Sequence, residues 1–493
     1  MMLLISTARN WRGASALVAA AGVALLSGCA VGPDYVRPAL PLPAAYTAQA
    51  LALAQSGQEI PEQWWELFHS QALNGLIADS LQRNPDVAAA QAALRGALEN
   101  VYAQQGAFYP TVDASYTPSR QKTAGVLASP LASNAYYYNL HTAQLTVSYA
   151  PDLWGANRRQ VESLKAQAQS QRYQIEVTRL SLTANVVNAA IQEAALRGQI
   201  AATREIIASQ SAILGKLRKQ QELGEAAAAD VALQEAALAA SQQTLPPLEK
   251  QLAVQRNLLT ALAGRFPSDG VDASFELSDL DLPSVLPQTL PSTLVERRAD
   301  VRASEELLHA ASAGIGVAIA NRLPNVTLGV NAYGSSASSL SDLFKAGTGF
   351  WTLAGNITQP VFDGGTLKHK QGAAQAAYDQ AAAQYRSTVL NAFQNVADAL
   401  QAIYHDGNAM QAANAAESAA GKSLSIARRQ LELGDISPMT LLASEQVYQQ
   451  ARLNLVQAQA NRLADVVALF QALGGGWWRD PAAPAASRDA IAH

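Results

Sequence analysis

Cysteine occurs once in this chain of 493 residues, at Cys29. A lone thiol forms no intramolecular disulfide, and one sulfur is no metal cage, so neither device holds the fold together. Charge is also sparse: 15% of residues are charged and the net charge is -4. That leaves no basic surplus to neutralise a polyanion, and nucleic acid is not expected as a partner. Apolar runs are short, none reaching the ~18 residues that cross a bilayer as a helix. Proline is absent from 155 to 223 and again from 366 to 433. No phosphate-binding glycine loop, nucleophile triad or metal motif appears, so no enzyme, cofactor or metal is expected.

What is abundant is alanine, roughly one residue in five and the strongest helix former. Each proline-free stretch can form a helical rod of roughly 100 Å. Val161, Leu164, Ala168, Gln171, Ile175, Thr178, Leu182, Asn185, Ala189, Gln192 and Leu196 alternate steps of three and four, a heptad seam with several polar members. Such a seam suits helices packed side by side around a wet lumen better than a dry two-stranded coil. His69, His141, His309, His369, His405 and His493 have no ligand spacing and are read as surface or lumen-wall residues.

The N-terminus has Arg9 and Arg12 ahead of an apolar run from Ala14 to Leu26, followed by small residues and Cys29. That is the layout of a secretory signal. Leu26-Ser27-Gly28-Cys29 resembles the bacterial lipobox, which implies cleavage before Cys29 and acylation of it, palmitate included. Ala30 follows where an Asp would retain the protein at the inner membrane, so the resemblance implies the outer membrane.

The rest of the chain is two copies of one unit. Asp86 and Val87 fall on Asp300 and Val301, Pro110 on Pro324, Pro151 on Pro360, and Gly224 on Gly434, each roughly 210 residues apart. Each copy reads as a helix, two strands, then a very long helix reversing onto another. The first helix runs from Pro85 to about Gly106 and its counterpart from Ala299 to Arg322. Glycine at 224 and 434 supplies the reversals, and the returning helices run to about Gly264 and Gly474. Pro246 and Pro247 should interrupt and bend the first of these. The boundaries expected are 1–28 for the signal peptide and 29–72 for a lipid-anchored extended segment. The first repeat is 73–265, with strands near 110–120 and 138–150. The second is 287–474, with strands near 323–334 and 349–361, and a tail covers 475–493.

The strands alternate with period two. Val112, Ala114 and Tyr116 share a face, as do Ala143, Leu145, Val147 and Tyr149, then Val326, Leu328, Val330 and Ala332, and finally Trp351, Leu353 and Ile357. The opposite faces are small and uncharged apart from Asp113. Tyr136, Tyr137, Tyr138, Phe350 and Trp351 sit at strand ends like an interfacial girdle. In lipid only helices and closed barrels satisfy the backbone, and four strands do not close. The chain must share a barrel with copies of itself.

At this point the sequence resembles the outer-membrane factor family, the TolC-type export ducts, in the lipoprotein branch that serves multidrug efflux. The resemblance rests on "CAVGPDYVRP", "WWELFHSQALNGLIADSLQRNPDV", "YAPDLWG", "TQPVFDGG", "LELGDISPMTLL" and "ALGGGWW" in this order. It implies a mainly α fold with a transmembrane β-barrel contribution. A homotrimer would form a twelve-stranded barrel and a twelve-helix periplasmic α-barrel. A periplasmic adaptor and an inner-membrane pump of the resistance-nodulation-division type would complete the conduit, with outer-membrane lipid around the barrel. The implied aperture lies at the helix reversals, where the family's second-copy acidic positions fall on Thr440 and Ala443 and the matching first-copy position on Asp230. The family's Arg and Tyr partners fall on Ile436 and Leu431, leaving Lys219, Arg428 and Arg429 as substitutes; Asp435 and Glu445 are weaker aperture candidates. Two other readings stay open: a duct for type I protein secretion, and a lipid-anchored periplasmic coiled-coil scaffold.

Overall fold

The computed structural model describes residues 30–39, 46, 61–127, 134–282 and 292–479. Its elements are α1 (Gln71–Arg83), α2 (Pro85–Gln105), β1 (Thr111–Lys122), β2 (Tyr137–Tyr149), α3 (Ala156–Glu222), α4 (Ala228–Leu262), α5 (Ala299–Ala320), β3 (Asn325–Ala337), β4 (Gly349–Thr358), α6 (Thr366–Leu433) and α7 (Pro438–Ala472). The series helix, strand, strand, long helix, returning helix therefore occurs twice. The chain divides into two compact units. One contains Leu94–Gln171, Ser304–Tyr385 and the N-terminal segment up to Pro38; the other contains Ala39–Ala93, Arg172–Ala303 and the chain from Arg386 onward.

In the first unit the strands form one antiparallel sheet in the order β1-β2-β3-β4. Val112 pairs with Val147, Val147 with Val330, and Val330 with Leu353, so one apolar row crosses all four strands. A bulge in β3 breaks the alternation: Thr146 pairs with Asn331 but Leu145 with Tyr333. The expected placement of Ala332 on the apolar face is corrected by this bulge, which passes the position to Tyr333. The motifs "YAPDLWG" and "TQPVFDGG" are helix starts. Asp152 accepts from the amides of Asn157 (3.0 Å) and Arg158 (2.9 Å). Asp363 accepts from those of Gly365 (2.9 Å) and Leu367 (2.8 Å). Each carboxylate satisfies first-turn amides that a helix leaves without partners.

The second unit holds the main core, where Trp64 stacks on Phe470 at 5.4 Å among Phe68, Ile77, Ile191 and Leu259. Along α3, every seventh residue of the seam from Val161 to Ala189 is buried and Leu196 is half-buried, while Asn185 and Gln192 are exposed. The seam buries one of its two rows only. All four reversing helices end identically. The amides of Glu225, Arg265, Asp435 and Gly475 reach carbonyls five residues back, those of Gln220, Thr260, Gln430 and Phe470. The preceding glycine is left-handed each time, with φ of 74°, 71°, 80° and 86°. That double closure satisfies the last carbonyls and turns the chain. The duplication extends to side chains: Asn84 donates to the Leu262 carbonyl at 3.1 Å, and its counterpart Arg298 donates to the Ala472 carbonyl at 2.5 Å. Pro246 and Pro247 do not interrupt α4, which is continuous from Ala228 to Leu262.

Candidate functional site

The sheet offers two faces of opposite chemistry. Val112, Trp351, Leu353 and Ile357 are 60–76% exposed on one face. Leu328, Tyr333, Tyr116 and Leu145 join them there, all exposed. The other carries Thr111, Ser115, Thr117, Gln144, Thr146, Ser148, Asn331, Thr352 and Asn356, with Asp113 its one acid. A soluble domain would bury the first face; here none of the described residues covers it, and β1 and β4 are the edges of the sheet. Among the described residues no helix is long and apolar enough to cross a membrane.

Cys29 lies outside the described residues, but the segment after it is held firmly. The Val31 amide donates to the Trp154 carbonyl at 3.1 Å. Gly32 passes so close to Gly316 that a Cβ on it would meet the Gly316 Cα at 2.4 Å, and a Cβ on Gly155 would meet the Ala30 Cα at 2.6 Å. Arg159 donates to Asp34 at 2.6 Å and to Glu162 at 2.8 Å, while Arg37 pairs with Glu305 at 3.1 Å. His309 is bonded to Glu162 at 2.9 Å and stacks on Tyr35 with ring centroids 4.4 Å apart. The reading of His309 as a surface or lumen-wall residue is corrected: it is half-buried at the centre of this cluster. Sequence spacing gave no sign of it, because its partners come from α3, its own helix and the N-terminal segment.

Hydrogen bonds to Glu162 and then Glu306 raise the His309 pKa to about 9, against burial, which lowers it. The bond from His309 likewise holds Glu162 below the usual carboxylate range. Because the folded value for His309 lies above its ordinary 6.5, this clamp is at full strength below pH 6.5 and fades as pH rises through about 9. On the acid side it weakens as pH falls through the depressed Glu162 value. Protection of residues 31–37 from hydrogen exchange, relative to the intrinsic rate at each pH, should fall between pH 7 and 10, and His309→Gln should flatten that dependence.

At the reversals of the second unit, Asp230 opens α4, half-buried, and no cation among the described residues pairs with it. Of the three substitutes, Arg429 pairs with Glu432 at 3.1 Å. Arg428 donates to Ser209 at 2.8 Å and lies 3.5 Å from Glu445. Lys219 has no acidic partner among the described residues. The expected ion pair to Asp230 is therefore not formed among the described residues. Leu431 and Ile436, at the family's polar partner positions, pack instead with Leu424, Ala427 and Leu441. Asp435 serves the α6 terminus through its backbone amide. Thr440 completes the α7 cap, its amide donating to Ser437 Oγ; Ala443 is exposed one turn further. Glu445, one of the weaker candidates, is the residue the structure singles out: its side chain is 3% exposed and accepts from Ser209 at 2.8 Å. A cavity of about 20 Å³ lies beside it, bordered by Glu205, Arg428, Tyr448 and Arg452. That volume is enough for one water. Among the described residues no three His, Cys, Asp or Glu side chains cluster at metal-binding distances.

A paired repeat with an uncovered apolar sheet and glycine-closed helix tips matches one known group. The family model for outer membrane efflux proteins aligns with residues 76–265 and 290–475. The chain belongs to that family, and it is an outer-membrane exit component of an efflux system. It is 30% identical over 431 residues to the pyoverdine export outer membrane protein OpmQ of Pseudomonas putida, covering 87% of this chain and 91% of that one. It is 30% identical over 459 residues to the toluene efflux pump outer membrane protein TtgC of the same species, covering 92% and 94%. Among solved structures, the outer-membrane channel OprN superposes with a TM-score of 0.81 at 27% identity, over 91% of this chain and all of that one. The CmeC outer membrane channel of Campylobacter jejuni superposes with a TM-score of 0.83 at 23% identity, over 91% and 95%.

Proposed function

We propose that three copies of this chain assemble into a passive duct for small molecules. The observation that carries this is the four-stranded sheet with an exposed apolar face, a polar face whose one charge is Asp113, and two unpaired edges. Backbone groups on an open edge cost several kcal/mol each in lipid, so β1 of one copy pairs with β4 of the next. Twelve strands enclose a channel where eight would be filled by side chains. The polar faces line it, and α3, α4, α6 and α7 of each copy build a twelve-helix periplasmic tunnel. A periplasmic adaptor and an inner-membrane pump, of the resistance-nodulation-division type, deliver the cargo, and the duct itself performs no chemistry. The names of the relatives, which concern pyoverdine and toluene, favour small molecules over proteins as cargo.

Residues 1–28 act as a signal peptide in this reading, and Cys29 is acylated. Ala30 rests against Gly155, between β2 and α3, so the acyl chains emerge where strands give way to helices. Cys29→Ser should lose metabolic labelling by a fatty-acid analogue while part of the export activity survives, because the apolar face does not depend on the lipid. Label retained on the variant would end the lipoprotein reading.

The periplasmic aperture is set by the helix tips, with Asp230, Asp435, Thr440 and Ala443 at or near it. Exposed pairs contribute only ~0–1 kcal/mol each, but threefold symmetry repeats every contact around one ring. Asp230→Ala should raise single-channel conductance in planar bilayers without lowering trimer abundance. Thr440→Asp places a further carboxylate at the ring and should strengthen cation preference. Unchanged conductance and selectivity in both variants would move the constriction elsewhere.

A further inference from the structure

We propose that the far end of the β1–β2 hairpin, on the apolar face, binds phosphate-bearing lipid headgroups of the outer leaflet. Arg120 and Lys122 in β1 lie on the same face as Val112 and Tyr116, opposite Asn139 and Tyr137 of β2. Side-chain contacts fix that placement. Lys122 Nζ sits 5.1 Å from the Tyr137 ring centroid, and the Tyr116 hydroxyl meets His141 Nδ1 at 2.7 Å. Going away from the helices, this face therefore changes from Val112 and Tyr116, past Pro118 and His141, to Arg120 and then to Lys122 level with the Tyr137 ring.

Among the described residues Arg120 and Lys122 have no acidic partner. From Thr111 to Tyr149 the sequence contains a single acid, Asp113, which lies at the helix end of β1 on the polar face. In the other hairpin, Lys345 is neutralised by Asp342 at 2.5 Å. Arg120 and Lys122 thus leave uncompensated positive charge at one level of an otherwise uncharged lipid-facing surface. Solvation in bulk water would make that arrangement unremarked, but at the boundary of a bilayer it is a charge pattern complementary to phosphate. A guanidinium grips phosphate through two parallel hydrogen bonds, and an ammonium over an aromatic ring keeps its remaining donors free for one. Each cation at an anionic lipid surface contributes about a fivefold gain in binding.

This inference rests on the outer-membrane duct reading, and the experiment separates the two. Full-length protein in detergent is titrated with diphosphoryl lipid A, with phosphatidylcholine, whose phosphate is compensated by its own choline cation, as the control, and pore formation is recorded for each variant. Arg120→Gln with Lys122→Gln should weaken binding of diphosphoryl lipid A about 25-fold, two fivefold steps. Lys345→Gln should leave it unchanged, and the charge-preserving Arg120→Lys with Lys122→Arg should retain most of it. Wild-type protein should prefer diphosphoryl lipid A to phosphatidylcholine, and inorganic phosphate at equal concentration should not displace it. Equal binding by the neutral double variant, equal binding of the two lipids, or displacement by inorganic phosphate would each overturn the headgroup site while pores persist. Absence of pores in the wild type would instead overturn the duct reading beneath it.

Discussion

Val147→Arg should nearly abolish assembled protein in the outer membrane, whereas Thr146→Arg, its neighbour, should be tolerated. Val147 stands between Val112 and Val330 in the apolar row. An arginine on a lipid-facing barrel position costs ~2–4 kcal/mol near the midplane. A barrel built from three copies carries that cost three times, which exceeds the ordinary stability margin of a folded domain of roughly 5–15 kcal/mol at its lower end. Thr146 lies on the opposite face, opposite Asp113 and Asn331, where a charge meets water. Heat-resistant oligomer on a gel, quantified from outer-membrane fractions, reads the difference. Equal loss from both substitutions would mean that the faces are misassigned.

The second large effect is an asymmetry at Glu445. Arg428→Ala should destabilise the helical unit by about 2–3 kcal/mol, because it leaves a buried carboxylate without its cation. The full cost for a completely buried pair is ~3–5 kcal/mol, and Arg428 is itself half-exposed, which moderates it. Glu445→Gln should cost under ~1 kcal/mol, since the amide oxygen still accepts from Ser209 and the charge left behind, on Arg428, is half-exposed and solvated. The two residues tie α3, α6 and α7 together within three turns of the Gly434 reversal, so Arg428→Ala should also raise resting leak. Helical circular dichroism on heating in detergent separates the two variants. A larger loss for Glu445→Gln than for Arg428→Ala would contradict the burial argument.

Much of this architecture is legible in the sequence because its signals are periodic or punctuating. Glycines 224, 264, 434 and 474 mark the helix ends, and the alternation from Val112 to Tyr116 marks a strand with two unlike faces. The misses have a common cause, which is contact between residues distant in sequence. The β3 bulge moves Tyr333 onto the apolar face, and nothing in "VTLGVNAY" announces it. His309 reads as an isolated histidine until α3 brings Glu162 and the N-terminal segment brings Tyr35. Arg428 looks like a partner for the tip, but Glu445 is buried beside it and takes it. Pro246 and Pro247 suggest a break, yet the turns on either side keep their own hydrogen bonds and the helix continues.

A shared barrel requires β1 of one copy to meet β4 of another. These strands are opposite edges of one sheet, about 14 Å apart at ordinary strand spacing, beyond the roughly 7 Å that a disulfide can bridge. One cysteine in β1, at Ser115 or Thr117, and one in β4, at Ala354 or Asn356, can therefore join only separate chains. Oxidation in outer membranes followed by non-reducing electrophoresis should give a ladder of one, two and three chains that ends at three. A ladder ending at two, one that continues without limit, or no cross-link with any of these pairs would contradict the shared barrel.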